Sequence, residues 1–191
     1  MFLYHYFEKE RGPFLSLSSL PDEEAVEIHE NLESNNNIFA RRNFDRKYIQ
    51  NRRMVEDWLH EEFMRKGGKP KERKPQYMTL GECHHCKSWF DCADFIKIPL
   101  NEFDINTISF TYGDSFPTFF APQFGDKSEY RLNIYMNNEI WDIIEKHGFP
   151  QDAWTEKTPH YAPSYVEVQV WNYTPLEKYK LLHIPSHSQI L

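Results

Sequence analysis

Glycine is scarce in this chain, with 7 residues among 191. Their spacing contains no G-x-G-x-x-G, no G-x-x-x-x-G-K-[ST] and no G-x-S-x-G motif, which excludes the glycine-dependent phosphate loops and the nucleophile elbow of α/β-hydrolases. The chain also lacks a basic, apolar leader at its N-terminus and any apolar run approaching the ~18 residues of a membrane span. We therefore expect a cytoplasmic protein with no membrane partner.

Cysteine is nearly as rare: the chain has only Cys83, Cys86 and Cys92. An odd, clustered set is a poor framework for a secreted disulfide scaffold, so reduced thiols or a metal site are the better interpretations. Cys83 and Cys86 have the spacing of a zinc knuckle, and Cys92 is a candidate third ligand. The fourth ligand would be a histidine, for which the candidates are His84, His85, His183 and His187.

The second half of a zinc signature is missing, and this absence favours free thiols in a turn between strands over a zinc site. A third interpretation makes Cys83 or Cys86 a nucleophile activated by a neighbouring histidine. Such a thiol would need a base and an oxyanion site, which the spacing does not show.

Charge is unevenly distributed. The formal net charge is −7, yet residues 41–74 hold 12 Lys or Arg against 6 Asp or Glu. This basic segment either offers a face to an anionic partner or pairs with the protein's own acidic groups and solvent. The second interpretation is the more common one for charge runs.

Local patterns predict three elements in the first part of the chain. Residues 2–7 are aromatic-rich and predict a strand. A short amphipathic helix follows Pro21, with apolar residues at helical spacing. A long helix is predicted over residues 44–66, where apolar side chains form one stripe, and Gly67 and Gly68 end it.

From residue 76 onward the apolar period approaches two, which is typical of strands. The predicted strands are 76–80, 95–100, 107–112, 130–136, 165–171 and 180–184, with a further short helix at 138–147. Because helices come mainly first and strands mainly later, the sequence predicts a single α+β domain over residues 1–191. Its sheet would be mostly antiparallel and packed by one long and two shorter helices. The predicted core includes Val55, Trp58, Leu59, Phe63, Ile143, Val166, Val168 and Val170.

The long helix is predicted to carry its basic residues on the outer face. At 100° per residue, Arg42, Arg46, Arg53 and His60 fall about 160 to 200° from Phe44 on the apolar stripe. Such a face would suit a nucleotide or an acidic partner, which makes a non-catalytic interaction module one functional hypothesis. No nucleic-acid motif accompanies it, so binding to nucleic acid stays open.

A second hypothesis comes from the N-terminus, which reads LYHYF at residues 3–7 and GPFLSL at residues 12–17. This segment resembles the first strand and following loop of ADP-ribosyltransferase-like domains. The superfamily is similar to this chain in having a histidine on the first strand, an aromatic residue on a middle strand and a glutamate on a late strand, which correspond to His5, Tyr77 and Glu167. More generally, the chain resembles a family of uncharacterised bacterial proteins, which implies no activity.

The resemblance implies an enzyme that transfers ADP-ribose from NAD. His5 would bond the adenosine ribose, Tyr77 or Tyr6 would stack on nicotinamide, and Glu167 would stabilise an oxocarbenium-like transition state. Arginines would meet the phosphates, for which Arg42, Arg46 and Arg53 are the candidates. The chain departs from the family pattern in having Tyr165 two residues before the glutamate, which puts the acceptor in doubt. The alternation around Glu167 also fits a strand whose polar face is in water.

Overall fold

Five β-strands form one sheet in the computed structural model, which describes residues 1–21, 23–28, 46–159 and 161–183. Their spatial order is β3-β1-β2-β5-β4, and every neighbouring pair is antiparallel. The strands are β1 (Phe2–Glu8), β2 (Gln76–Leu80), β3 (Ala93–Pro99), β4 (Ile108–Tyr112) and β5 (Val166–Val170).

Helices surround this sheet without the βαβ alternation that a parallel sheet requires. In chain order they are α1 (residues 23–28), α2 (Arg46–Arg65), α3 (His84–Lys87), α4 (Ser115–Phe120), α5 (Ile140–His147), α6 (Pro150–Ala153) and α7 (Thr174–Leu182). The predicted α+β class with an antiparallel sheet is confirmed. Within the described residues, none of these helices combines the length and the apolar character needed to cross a bilayer.

One face of the sheet carries the larger apolar core. Side chains alternate between the two faces of a strand, and on this face every strand contributes aliphatic or aromatic residues. α5 and α7 cover the face through Ile140, Ile144 and Leu176. The strand residues in this cluster include Leu3, Phe7, Met78, Ile96, Phe110, Val166, Val168 and Val170.

The opposite face is polar at its centre, and α2 covers part of it. Val55, Leu59 and Phe63 of this helix are fully buried against Trp171, at the end of β5. Their spacing of four residues places them on one side of α2, as the sequence predicts. α2 therefore covers one half of the polar face.

α2 ends where two glycines stop it. Gly67 has a φ of +90°, a left-handed conformation that favours glycine. The amide of Gly68 then donates a 2.9 Å hydrogen bond to the carbonyl oxygen of Phe63, which satisfies one of the last free carbonyls of the helix. The predicted glycine stop is confirmed.

Two predicted strands are wrong. Residues 130–136 form turns and irregular chain, with one isolated bridge between Tyr135 and Phe110, because Leu132 takes a left-handed φ of +49° that interrupts an extended chain. The run at 180–184 overlaps the end of α7, and Ile184 lies outside the described residues. Leu176 and Tyr179, three residues apart, pack on the core at helical spacing.

The predicted core is confirmed for six of its members and wrong for the other two. Trp58 and Ile143 are only partly buried, because each packs at the border of a cluster rather than inside it. The other six, all fully buried, are Val55, Leu59, Phe63, Val166, Val168 and Val170. The predicted start of the long helix at Phe44 lies outside the described residues.

Candidate functional site

A cavity of about 590 Å³ opens where β1 and β2 diverge. Ladder pairing between these strands stops after Tyr4 and Thr79, so their remaining residues separate and leave space between them. The first half of α2, the segment at residues 11–20 and the chain after α3 complete the wall. The aromatic side chains that line the cavity on the polar side are Tyr4, Tyr6, Tyr48, Tyr77, Trp89, Phe90 and Tyr165.

Glu167, on β5, is the buried acid of this cavity, with 4% of its surface exposed. Its Oε1 accepts hydrogen bonds from the Ser115 amide at 3.3 Å and from Gln169 Nε2 at 3.0 Å. Burial raises the pKa of Glu167 to about 7, and the nearby charge of Asp114 acts in the same direction against the opposing charge of Arg52. This carboxyl is therefore poised to exchange a proton near neutral pH.

A single phenol connects Glu167 to a second carboxylate. The hydroxyl of Tyr165 lies 3.3 Å from Glu167 Oε2 and 3.2 Å from Asp114 Oδ2, within donating distance of both oxygens. Burial raises the pKa of Tyr165 well above its usual range, so the hydroxyl keeps its proton. Asp114 is fixed independently, because its Oδ1 caps α4 by accepting from the Phe116 amide at 2.8 Å.

Arg52 supplies a positive charge on the opposite wall. Its guanidinium lies over the ring of Tyr77, 3.9 Å from the ring centroid, a cation–π arrangement. Nη1 donates to Ser115 Oγ at 3.3 Å, and Nε lies 3.4 Å from Glu56 Oε1. The Arg52 guanidinium therefore lies between Glu56 of α2 and Glu167 of β5.

Glu56 contacts both Arg52 and Tyr77, and its side chain is fully buried. Oε1 accepts from Ser18 Oγ at 2.7 Å and from the Tyr77 hydroxyl at 3.2 Å. Lys74 Nζ lies 3.3 Å from Oε2. With two cations and two hydroxyls around it, this carboxylate is compensated, as a buried charge must be.

A chain of hydrogen bonds behind Glu167 connects it to the packing under α2. Trp171 Nε1 donates to Ser109 Oγ at 2.9 Å, and Ser109 Oγ donates to Gln169 Oε1 at 2.8 Å. Gln169 Nε2 then donates to Glu167 and, at 3.1 Å, to Thr111 Oγ1. All of these side chains are buried, so the polar face here is enclosed by protein. The solvated interpretation of Glu167 is wrong.

The resemblance assigns roles to four strand residues, and three of them lie on one face of the sheet. By the strand registers, Thr79 and Tyr77 lie opposite Glu167 and Gln169, and Tyr4 lies opposite Thr79. Side chains two residues apart share a face. Tyr6, Tyr77 and Glu167 therefore face the same side of the sheet.

His5 faces the other side, because it alternates with Tyr4 and Tyr6. Its ring stacks on Phe14 with 4.3 Å between centroids. Nδ1 donates to the Tyr77 carbonyl oxygen at 2.9 Å, and Nε2 accepts from the Phe14 amide at 2.9 Å. Burial lowers the pKa of His5 to about 4. His5 thus bridges the gap between β1 and β2 and has no ring nitrogen left for a ligand.

The basic outer face predicted for the long helix is not a free cationic stripe in the part of α2 that the structure describes. Arg53 Nη2 donates to the Leu20 carbonyl oxygen at 2.6 Å. His60 is buried, packs edge-on against Trp171 and bonds Arg73 Nη1 at 2.9 Å, because the chain after the helix folds back over it. The predicted exposure of His60 is wrong. Arg42 and the side chain of Arg46 lie outside the described residues.

The three cysteines are not brought together as one set of ligands. Cys83 and Cys86 are buried at the start of α3, whereas Cys92 is exposed and its amide bonds Glu8 Oε1 at 2.9 Å. In the ranges that the structure describes, no group of three or more His, Cys, Asp or Glu side chains is arranged to hold a metal ion. Cys86 lines the cavity.

Sequence reasoning missed Arg52, Glu56 and Asp114. The two α2 residues fall about 80 and 120° from Phe44 at 100° per residue, which places them at the edge of the apolar stripe rather than opposite it. A charged residue at the edge of an apolar stripe was the signal by which the sequence could have indicated partly buried charges at Arg52 and Glu56. Asp114 follows Gly113 at the end of a strand, a site where Asp commonly caps a helix, but nothing local shows that it meets Glu167.

Comparisons of the chain with protein-family models, with curated proteins and with solved structures found no match. The interpretation of the site therefore depends on its geometry.

Proposed function

We propose that the cavity is the active site of an enzyme that transfers ADP-ribose from NAD, with Glu167 as its catalytic carboxylate. The observation that carries the proposal is the position of Glu167: a buried acid with a pKa of about 7 on the wall of an aromatic-lined cavity. Arg11 and Arg52 both line this cavity, and Arg52 is the one bonded to Ser115, which also bonds Glu167.

The proposed reaction breaks the bond between nicotinamide and the C1′ atom of its ribose. Nicotinamide leaves with the bonding electron pair and becomes neutral, while positive charge develops on the ribose. An ionised Glu167 stabilises that charge from the buried wall of the cavity. The hydroxyl group of an acceptor, or of water, then attacks C1′ and loses its proton to solvent or to the carboxylate.

Aromatic rings and Arg52 have separate roles in this proposal. Tyr6 and Tyr77 line the cavity and offer aromatic contacts to a planar nicotinamide group, although one face of the Tyr77 ring is covered by Arg52. Arg52, held by Glu56, offers donors to the diphosphate. The proposal does not use His5, because both of its ring nitrogens bond the backbone. It also replaces Arg42, Arg46 and Arg53 with Arg52 as the phosphate-binding arginine.

The test combines NAD binding by calorimetry with measurement of nicotinamide release. Glu167→Gln keeps the shape of the side chain and removes its charge, so we expect release to fall at least about a hundredfold, which corresponds to roughly 2.7 kcal/mol. Glu177→Gln makes the same change at an exposed position of α7 and should leave release unchanged. In the parent, release should rise with pH through about 7 as Glu167 loses its proton.

Two results would contradict the proposal. One is the absence of binding at millimolar NAD. The other is equal nicotinamide release from the parent and from Glu167→Gln, because an active site that works without this carboxylate is not the one proposed.

A further inference from the structure

Cys83 and Cys86 form a close pair at the start of α3. Cys83 is the residue before the helix, and the amide of Cys86 donates to Cys83 Sγ at 3.3 Å. Residues three apart on a helical turn have Cα atoms about 5 Å apart, and disulfides join Cα atoms separated by roughly 4.4 to 6.8 Å. A bond between the two sulfurs therefore requires no unwinding of the chain.

The surroundings of the pair control which molecules reach it. Cys83 is fully buried and Cys86 is 3% exposed. Both belong to a cluster with Tyr6 and Tyr165, against which Trp89 packs. Cys86 lines the cavity and Cys83 does not. A small molecule that enters the cavity therefore reaches Cys86 first and then the Cys83 sulfur directly behind it, 3.3 Å from the Cys86 amide, whereas a protein surface reaches neither.

We propose that Cys83 and Cys86 are a redox-active dithiol, which a small hydroperoxide oxidises to an intramolecular disulfide. The pair is suited to this chemistry because one sulfur accepts a backbone N–H bond and the other thiol is adjacent to it. Cys92 is exposed and lies apart from them, so it is the internal comparison. This inference does not depend on the proposed NAD chemistry.

The oxidation proceeds in two balanced steps. The Cys83 thiolate attacks one oxygen of hydrogen peroxide and forms a sulfenic acid, and the displaced hydroxide takes a proton and leaves as water. The Cys86 sulfur then attacks the Cys83 sulfur and forms the S–S bond, and the departing hydroxide combines with the Cys86 proton as a second water. The two sulfurs lose two electrons in total, and the peroxide gains them.

Cys83 is the attacking sulfur in this scheme, and the electrostatics of the pair agree with that order. The hydrogen bond from the Cys86 thiol lowers the pKa of Cys83, whereas burial raises the pKa of Cys86. The thiolate, rather than the thiol, is the nucleophile in such reactions.

The experiment uses the full chain, reduced, treated with a small excess of hydrogen peroxide, alkylated under denaturing conditions and digested with trypsin. Cleavage after Arg73 and Lys87 places Cys83 and Cys86 in one peptide, 74–87, because the bond between Lys74 and Pro75 resists trypsin. Cys92 lies in the separate peptide 88–97. We expect peptide 74–87 to be unalkylated and lighter by two hydrogen atoms, peptide 88–97 to be alkylated, and dithiothreitol to reverse the change.

Alkylation of both cysteines of peptide 74–87 after peroxide treatment would overturn the proposal, and so would a disulfide between peptides 74–87 and 88–97. Cys92→Ser should leave the result unchanged. Cys86→Ser should stop the reaction at the Cys83 sulfenic acid, which dimedone traps. If that variant does not fold, the peptide masses of the parent chain still decide the question.

Discussion

The histidine of β1 shows how a polar residue acquires a structural role from its immediate neighbours. His5 lies where the ladder between β1 and β2 stops, and its two ring nitrogens replace the missing backbone bonds. Only one neutral tautomer serves both partners, with the proton on Nδ1. Protonation of Nε2 would place two donors face to face at Phe14. Burial and this hydrogen-bond pattern both favour the neutral form.

The first prediction concerns the pH dependence of stability. The pKa of His5 is about 4 in the folded chain, against 6.5 for a histidine in the unfolded chain. Between these pH values the unfolded chain binds more protons than the folded chain, so the free energy of unfolding falls as pH decreases from about 6.5 to 4. The loss approaches roughly 3 kcal/mol. His5→Gln keeps one donor and one acceptor without titrating, so its urea-unfolding free energy should lose less over this range.

The comparison must be made between the two proteins rather than on the parent alone. The raised pKa of Glu167 acts in the opposite sense, since its contribution to stability is lost as pH rises through about 7. That contribution is common to both proteins and cancels in the difference. Parallel pH curves for parent and His5→Gln would show that His5 titrates normally in the fold.

At the scale of single elements, the end of α2 is set by two adjacent glycines with different physical requirements. Gly67 needs its left-handed backbone, and a Cβ there would meet nothing within 4 Å. Position 68 has no room for a side chain, because a Cβ there would lie 2.4 Å from the ring of Phe63. Since Phe63 is fully buried and stacks on Trp171, the ring has little room to move.

The second prediction compares alanine at these two positions. Gly67→Ala should cost about 1 to 2 kcal/mol through backbone strain alone. Gly68→Ala should cost more, about 3 kcal/mol, because it forces a large side chain out of a well-packed position. Chemical denaturation of the two variants measures the difference. Equal losses of stability would mean that the Phe63 ring moves freely, which would contradict its tight packing against Trp171.

The elements that the sequence predicted well are those whose pattern is local. α2 has a long apolar stripe at helical spacing, and β5 alternates valines with polar residues. The failures also have local causes. The region around Leu132 contains strand-forming residues, but one left-handed residue interrupts it. α7 is short, and its few apolar residues fit either period.

At the scale of the whole molecule, the polar face of the sheet is a buried network that runs from α2 to the cavity. Trp171 and Ser109 lie at the α2 end, and Gln169 connects them to Glu167. The Trp171, Ser109 and Gln169 donors of this network each have a partner, so the network is satisfied although it is buried. It fixes the orientation of the acid on which the proposed chemistry depends.

The third prediction tests this network at a residue that does not line the cavity. Ser109→Ala leaves the Trp171 indole N–H and the side-chain oxygen Oε1 of Gln169 without the hydroxyl that bonds both. It should therefore destabilise the fold by about 1 to 3 kcal/mol. Ser88→Ala removes a hydroxyl from an exposed hydrogen bond and should change stability by less than about 0.5 kcal/mol. Thermal and urea unfolding compare the two, and similar values would contradict a buried network.

Sequence by itself determined the class of this protein and part of its elements: the stripe of α2, its glycine stop, α5, the five strands and the α+β arrangement follow from periods and turn residues close together in the chain, whereas α3, α4, α6 and α7 were not predicted. Tertiary structure alone decided the site. Whether Glu167 is solvated or enclosed depends on α2 covering the polar face, and His5 is separated from Glu167 by the strand register, because a shift of one residue reverses every side chain. Arg52 and Glu167 are connected through Ser115, which bonds both, only because residues far apart in sequence pack together, and no local pattern indicates this.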